Sequence, residues 1–168
     1  QSSFRNLPVA SAPKSLLALV NAEQSTISEV LDARARLTPE APFLLWREQS
    51  YTYAEARSHA RRFAAYLHTL PSWRHTRRVG AFLTNAPEAM WTWLGVAYAG
   101  GVFVPINRGH KGDLLRHALV SASPTILITE DSALTDLPDL AEFGIERLVV
   151  IDACEHARAN GVVSIPFS

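Results

Sequence analysis

The sequence contains a single cysteine, Cys154, and no apolar run long enough to cross a membrane. One cysteine excludes an internal disulfide framework and a cysteine-rich zinc site, and it is compatible with a reducing environment. A membrane-spanning helix needs about 18 consecutive apolar residues, and every apolar run here is interrupted sooner. The opening residues, QSSFRNLPVASAPK, lack the pattern of a signal peptide. We therefore expect a cytoplasmic protein without a transmembrane segment.

Net charge is also lacking, because sixteen basic and sixteen acidic side chains cancel. This balance argues against a nucleic-acid surface driven by bulk charge, so no nucleic-acid partner is expected. Only two of the basic residues are lysines, Lys14 and Lys111. With 168 residues, 48% of them hydrophobic, the chain is long enough for the core of one domain or of a large piece of a bigger one.

Short catalytic motifs are missing as well. The sequence has no glycine-rich dinucleotide fingerprint, no Walker phosphate loop, no nucleophile elbow and no H-E-x-x-H zinc motif. Its six histidines show no close metal-ligand spacing, and Cys154 has no recognisable nucleophile context. The residues alone therefore predict neither a metal site nor a catalytic group.

What is present is organised around one nearly uncharged stretch in the middle of the chain. Apolar runs at 79–83 and 102–106 predict two buried strands, with a helix at 88–99 between them. Pro87 suits the first turn of that helix, and Gly100-Gly101 supplies a left-handed stop after it. The helix lacks a wide polar face, which predicts that it is largely buried. Together these elements are typical of a βαβ unit.

Upstream of this unit the sequence predicts two helices and a hairpin. Two capping boxes, Thr26 to Glu29 and Thr52 to Glu55, indicate helix starts, and the first helix ends before Thr38-Pro39. The run from Phe43 to Tyr53 is typical of a hairpin with its turn at 48–50. The buried faces are predicted to contain Ile27, Val30, Leu31 and Ala35 in the first helix, and Ala56, Ala60, Phe63, Ala64 and Leu67 in the second.

Downstream of the unit, helices and strands alternate again. Strands are predicted at 125–129 and 148–151, with a short helix between them from Asp131 to about Phe143. Pro138 makes that helix short or kinked, and Gly144 stops it. The helix that precedes both strands is predicted to carry Leu114, Leu115, Ala118 and Leu119 on one face.

The predicted organisation is a leader at 1–24, an α/β unit at 25–152 and a tail at 153–168. The tail contains a strand-like run at 162–167 whose partner the sequence does not identify. The loop 71–78 is basic and contains a tryptophan, a combination that binds single-stranded nucleic acid in other proteins. One short loop on a neutral protein favours an ordinary surface role instead. A solvated helix face is likewise the better explanation for Arg57, Arg61 and Arg62.

Alternating apolar strands and amphipathic helices predict a mostly parallel sheet with helices on both faces, preceded by the hairpin. Ligands of such sheets gather outside the carboxyl ends of the strands. Asn and Asp are also common at strand ends and helix caps, so for any single residue a structural role is the stronger explanation. The residues at these ends are Thr84, Asn85, Asn107, Arg108, Thr129, Glu130, Asp131 and Asp152, of which Asn85, Asn107 and Arg108 are the candidates for cofactor binding.

Three segments resemble, in order, the N-terminal portion of the adenylate-forming ligase family, which includes acyl-CoA synthetases, firefly luciferase and peptide-synthetase adenylation domains. They are YTYAE at 51–55, the turn at 83–88, and AGGVFVPIN at 99–107, which is similar to the family's A-G-x-x-x-V-P-x-N/D segment. The resemblance spans residues 26 to about 152. The continuation at 107–117 is most similar to members that make CoA thioesters of fatty or carnitine-like acids.

This resemblance implies a two-step reaction in which a carboxylate and ATP, with Mg²⁺, give an acyl-adenylate that CoA then converts to a thioester. It also implies that the family's phosphate loop, ribose-binding Asp, catalytic Lys and most of its acyl pocket lie beyond residue 168. Neither Lys14 nor Lys111 matches the catalytic lysine motif. The chain departs from the family at 70–78, where PSWRHTRR stands in place of a G-V-x-x-G-D turn.

We therefore expect the first subdomain of an acid:CoA ligase, with no cofactor and no activity of its own. The remainder of the ligase and a small carboxylic acid would be its partners, and apolar surface exposed in the isolated piece would promote self-association. Two alternatives stay open: a truncated homologue that acts as a binding or scaffold module, and a small flavodoxin-like nucleotide binder. The second needs phosphate-facing loops at 84–86 or 107–111.

Overall fold

The computed structural model describes residues 25–74, 76–151 and 163–165. Four α-helices, seven β-strands and three short 3₁₀ segments lie in these ranges. In chain order the helices and strands are α1 (Ile27–Leu37), β1 (Pro42–Trp46), β2 (Gln49–Thr52), α2 (Tyr53–Thr69), β3 (Arg78–Phe82), α3 (Pro87–Tyr98), β4 (Val102–Pro105), α4 (Gly112–Ala122), β5 (Ile126–Glu130), β6 (Arg147–Ile151) and β7 (Val163–Ile165).

Five of the strands form one parallel sheet in the order β4-β3-β5-β6-β7. The strands β1 and β2 form a separate antiparallel hairpin. The predicted α/β class with a parallel sheet and an N-terminal hairpin is therefore confirmed. The tail run at 162–167 supplies β7, and its partner is β6, with Val149 opposite Val163.

Alternate residues of the sheet enter two separate cores. Val79, Ile128 and Val149 pack with the helices α1, α2 and α3 on one face. Phe82 and Leu127 point to the other face, where they pack with α4 and the 3₁₀ segments. This period of two follows from the pleat of a strand, and it confirms the prediction of helices on both faces.

The helix α3 is the most deeply placed helix, as its lack of a polar face predicts. Trp91, Leu94 and Val96 are almost completely buried. Gly95 faces α2, and a β-carbon at this position would lie 2.6 Å from Cδ1 of Phe63. Only glycine therefore allows α2 and α3 to approach this closely, because any larger residue would meet a ring that is itself fully buried.

Both predicted capping boxes are present. The backbone N–H groups of Thr26 and Thr52 donate to the carboxylates of Glu29 and Glu55, each at 2.7 Å. The reciprocal bonds from the Glu backbone to the Thr hydroxyls are also formed. The predicted buried stripe of α2 is confirmed in full by Ala56, Ala60, Phe63, Ala64 and Leu67.

The predicted faces of two helices and the predicted hairpin turn are wrong in detail. Ile27 of α1 is 43% exposed, because α1 is buried through the later turns that contain Leu31, Ala33 and Ala35. In α4 the predicted Leu115 and Leu119 are buried and Ala118 packs against the same core, but Leu114 is 55% exposed, and the buried stripe ends with Ala122 instead. Trp46 pairs with Gln49, so the turn lies at 47–48, where Arg47 takes a left-handed conformation with φ 54°.

Two further corrections concern the connecting segments. The helix predicted from Asp131 to Phe143 is two 3₁₀ segments, Asp131–Asp136 and Leu140–Phe143, because Pro138 falls between them and cannot continue a hydrogen-bonded helix. Gly144 does end the second segment, with φ 69°. The loop after α2 is not wholly a surface loop, because Trp73 is only 3% exposed and packs into the core.

A carboxylate, Asp32, connects the three helices on one face of the sheet. Its Oδ1 atom accepts a hydrogen bond from Nε of Arg57 at 2.6 Å and another from the hydroxyl of Tyr98 at 2.8 Å. Burial by itself raises the pKa of Asp32, but the bonds from Tyr98 and Arg57 outweigh it and hold the pKa below its usual value. Burial and the neighbouring carboxylate raise the pKa of Tyr98.

The substitution Asp32→Ala is expected to lower the free energy of unfolding by about 1–2 kcal/mol, because Arg57 and Tyr98 lose their common acceptor. Urea unfolding monitored by circular dichroism measures this change. The folded pKa of Asp32 lies below the unfolded value of about 3.9, so the stabilisation is complete above about pH 5 and is lost as the pH falls through the folded pKa. The variant should therefore lose less stability on acidification than the parent chain does.

Glu40→Ala, at an exposed carboxylate, is the matched control and should change the free energy of unfolding by less than about 0.5 kcal/mol. Equal effects of the two substitutions would contradict the role of Asp32.

Candidate functional site

The carboxyl ends of β3, β4 and β5 lie next to each other at the topological switch point of the sheet, where the strand order reverses. The connection from β3 leads to β4 on one side, and the connection from β4 crosses to β5 on the other side of β3. In parallel sheets this is where ligand crevices form. A cavity of about 830 Å³ opens here, which lies in the size range of small-molecule sites.

Three elements supply an apolar wall for the cavity. The hairpin, α3 and the edge strand β4 each contribute large side chains, and Trp93 of α3 is 38% exposed because it faces this space rather than a neighbouring element. The apolar wall consists of Leu44, Trp46, Leu83, Met90, Trp93, Phe103, Pro105 and Ile106.

The predicted candidates Asn85, Asn107 and Arg108 all line this cavity. Asn85 and Asn107 are exposed. The side-chain oxygen of Asn107 accepts a hydrogen bond from the backbone N–H of Gly109 at 2.8 Å, so this residue also shapes the turn that follows β4. The structure therefore brings the three candidates to the same cavity, although the side chain of Asn107 also stabilises the turn after β4.

Arg108 is held by carboxylates rather than directed into the cavity. Its Nε atom donates to Glu130 at 3.0 Å, its Nη1 atom to Asp136 at 2.8 Å, and its Nη2 atom to the carbonyl of Ser132 at 3.2 Å. The guanidinium also lies over the ring of Phe82, 4.7 Å from its centroid. Burial by itself lowers the pKa of Arg108, but the hydrogen bonds that it donates to Asp136 and Glu130 outweigh this effect and raise the pKa.

Glu130 connects this group to a third strand end. Its Oε2 atom accepts a hydrogen bond from the hydroxyl of Thr84 at 2.9 Å. Burial by itself raises the pKa of Glu130, and the bonds from Thr84 and Arg108 lower it further than burial raises it. The bond from Arg108 also lowers the pKa of Asp136, and Nζ of Lys111 lies 3.5 Å from the same carboxyl group.

Sequence reasoning placed Thr84, Arg108 and Glu130 at strand ends but missed Asp136. No local motif marks this residue, since it reaches Arg108 only because the segment after β5 turns back along the sheet edge as a 3₁₀ helix. Asp131 lines a smaller pocket of about 160 Å³ together with Glu88 and Glu130. Asp152 lies outside the described residues.

The residues at this edge do not fit the phosphates of ATP. Anionic phosphate needs free cations and backbone donors, whereas the guanidinium of Arg108 is shared by two carboxylates and the neighbouring pocket is acidic. Among the described residues no group of three or more His, Cys, Asp or Glu side chains is placed to hold a metal ion. The edge therefore offers an apolar wall with amide groups, and no step of phosphate chemistry follows from its own side chains.

Comparison with known proteins identifies the family. The family model for AMP-binding enzymes matches residues 31–162, and the chain belongs to this family. It is 28% identical over 144 residues to long-chain fatty acid transport protein 2 of Rattus norvegicus, covering 83% of this chain and 23% of that protein. It is 30% identical over 137 residues to novobiocin biosynthesis protein H of Streptomyces niveus, covering 78% of this chain and 23% of that protein.

Solved structures agree on the fold. A mutant form of coronafacic acid ligase from Pectobacterium brasiliense superposes with a TM-score of 0.71 at 16% identity, covering 83% of this chain and 28% of that one. The chain therefore has the fold of the beginning of an adenylate-forming ligase, and it spans about a quarter of the length of the curated relatives named above. In the described part of the chain, no helix is both long and apolar enough to span a membrane.

Replacing Arg108 with methionine is expected to lower the free energy of unfolding by about 1–3 kcal/mol, because the half-buried carboxylate of Glu130 then loses its charged donor. Guanidinium denaturation at moderate salt measures the loss. The pKa of Glu130 should rise towards its ordinary value in the variant, and this rise can be followed by carboxyl-carbon NMR titration.

Arg116→Met provides the matched control, since Arg116 pairs with Glu142 at a site where both side chains are about half exposed. This substitution should cost about 0.5 kcal/mol or less. A loss at Arg108 no larger than the loss at Arg116 would show that the strand ends are held together by other contacts.

Proposed function

We propose that this chain is the first sheet-and-helix layer of an ATP-dependent carboxylic acid:CoA ligase. In that reaction the carboxylate attacks the α-phosphorus of ATP, the bond to the pyrophosphate breaks, and an acyl-adenylate forms. The thiol of CoA then attacks the acyl carbon, releases AMP and leaves a thioester. ATP, Mg²⁺ and CoA are thus the cofactors and cosubstrates of the whole enzyme, and the family match and the ligase fold support this assignment.

The observation that carries the proposal is the composition of the cavity at the switch point of the sheet. Its wall is apolar and aromatic, and the one charged residue among the described residues that line it, Arg108, is paired with carboxylates. Such a wall suits an acyl chain or the uncharged part of a thiol cosubstrate, whereas the charged phosphates require groups from another layer. No described residue receives a catalytic role, and we expect the chain alone to be inactive.

The acid is proposed to be apolar, in keeping with a role in fatty acid metabolism. The large side chains Trp46, Met90, Trp93 and Phe103 in the cavity wall favour an alkyl or ring substituent over a polar one. The similarity to a relative named as a long-chain fatty acid transport protein supports the same class. A cytoplasmic location is proposed with it, since the single cysteine suits a reducing compartment.

Of the two alternatives, the small nucleotide binder has less support. It needs phosphate-binding loops at 84–86 or 107–111, and these loops lie beside Glu130 and Asp136, whose carboxylates would repel a phosphate. The scaffold alternative predicts the same fold and the same lack of activity in the isolated chain, so it must be separated by experiment.

The test compares the 168-residue chain with a longer protein expressed from the same gene through the following part of its reading frame. The longer protein should exchange labelled pyrophosphate into ATP when a fatty acid is added, and the 168-residue chain should show no exchange above background. A reading frame that stops after Ser168 would instead favour the scaffold alternative. Calorimetric binding of AMP, FMN or NAD to the 168-residue chain would favour the nucleotide binder.

Self-association of the isolated chain is proposed as well, through the exposed part of the cavity wall around Trp93. Analytical ultracentrifugation should show a concentration-dependent mass, and Trp93→Gln should weaken the association because it removes a large exposed apolar side chain. Val120→Gln is the control, since Val120 is also exposed but lies on α4 on the opposite face of the sheet. A purely monomeric chain over the accessible concentrations would contradict this proposal.

A further inference from the structure

The amino edge of the sheet, opposite the candidate site, carries a group of arginines. Arg74 and Arg77 lie in the short connection that leads into β3, Arg78 is the first residue of β3, and all three are exposed. Arg147 begins β6 and is partly exposed. These four residues are called the amino-edge arginines below.

None of the amino-edge arginines forms an ion pair with a residue that the structure describes. Elsewhere in the described chain Arg57, Arg108 and Arg116 each pair with a carboxylate. The only acidic residue adjacent to the group in sequence is Glu146, which is itself exposed. The amino edge is therefore locally positive.

The carboxyl edge has more acidic than basic groups, because Glu88, Glu130, Asp131 and Asp136 lie there with two cations, Arg108 and Lys111. Although the net charge of the chain is zero, these arginines and carboxylates lie at opposite ends of the strands. A surface potential depends on the local arrangement of charges and not on their sum, so a neutral chain can still attract an anionic partner at one edge.

The geometry of the amino edge suits a broad surface more than a single phosphate. Arg78 of β3 is paired in register with Val102 of β4, and Arg147 lies beyond the intervening strand β5. Neighbouring strands are about 4.8 Å apart, so Arg78 and Arg147 are separated by about 10 Å along the edge, and Val102 adds one further strand spacing. Val102 is 51% exposed, and Pro71 nearby in the connection is also exposed, so apolar groups flank the cations.

The connection that carries Arg74 and Arg77 is attached to the core. Trp73 is buried beneath Gly101, where any side chain would clash with its ring. The backbone N–H of Val102 donates to the carbonyl of Arg77 at 2.6 Å. Because Trp73 is buried, the tryptophan ring of this loop is not available for a base to stack on, which argues against single-stranded nucleic acid.

We propose that the amino edge binds the surface of a membrane that contains anionic phospholipids. Guanidinium groups bind lipid phosphates through paired hydrogen bonds, and clustered cations are attracted to the negative potential of such a surface. The exposed Val102 and Pro71 favour a lipid interface over a nucleic-acid backbone, because a lipid interface accepts apolar groups beside the charges. The cavity at the carboxyl edge stays open in this orientation.

Vesicle sedimentation tests the proposal with the 168-residue chain itself. The chain should sediment with vesicles of phosphatidylcholine and phosphatidylserine, but not with vesicles of phosphatidylcholine alone, and added salt should release it. Each exposed arginine is expected to contribute about a five-fold increase in partitioning. The combined variant Arg74→Gln, Arg77→Gln, Arg78→Gln should therefore lower partitioning by about a hundred-fold.

A matched variant removes three cations elsewhere: Arg47→Gln, Lys111→Gln and Arg116→Gln, on the hairpin, at the carboxyl edge and on α4. It should retain most of the binding, and circular dichroism should show that both variants are folded. Equal losses in the two variants, equal binding to neutral vesicles, or binding to an oligonucleotide or polyglutamate with none to anionic vesicles would each overturn the proposal. None of these outcomes bears on the ligase proposal, because that proposal is tested by pyrophosphate exchange in the longer protein.

Discussion

The close contact between α2 and α3 is the constraint on which the rest of this structure depends. Gly95 allows the ring of Phe63 to lie directly against the α3 backbone, and residues of both helices share one core with the sheet. The first turns of α3 then border the carboxyl ends of β3 and β4. Trp93 and Met90 face the cavity for this reason, while Trp91 and Leu94 are buried on the other side of the same helix.

A second organising feature is the polar network at the carboxyl edge. Arg108, which follows β4, pairs with Glu130 at the end of β5 and with Asp136. Glu130 in turn accepts a hydrogen bond from the hydroxyl of Thr84, which follows β3, so the ends of three strands are connected. The bonds are partly buried, so they are less screened by water and salt than surface pairs are. Arg108 therefore works as a structural cation at the boundary of a site, and the site itself presents mainly apolar groups.

Much of the fold was predictable because its determinants are local. Capping boxes at Thr26 and Thr52, the apolar stripe of α2, and the glycine pair after α3 each act within a few residues of the chain. The features that were not predictable depend on distant contacts. The exposure of Leu114 depends on how α4 packs on the sheet, and the burial of Trp73 depends on its contact with Gly101.

The candidate site was predictable in its position but not in its chemistry. The rule that ligands gather at the carboxyl ends of parallel strands identified Asn85, Asn107 and Arg108, and all three line the cavity. Sequence alone did not reveal that Arg108 is paired with carboxylates, because its partner Asp136 lies 28 residues further along the chain. Arg108, which the sequence suggests as a cofactor-binding residue, is one member of a cluster of ion pairs in the folded chain.

The charge distribution along the strands has a consequence for how the molecule behaves in solution. Strands of five residues extend about 16 Å, so the arginines at one edge and the carboxylates at the other are separated by roughly that distance. These charges contribute a dipole component along the strands that persists at the pH where the net charge of the chain vanishes. Electrophoretic mobility, which responds to total charge, would not detect this polarity, whereas dielectric relaxation would.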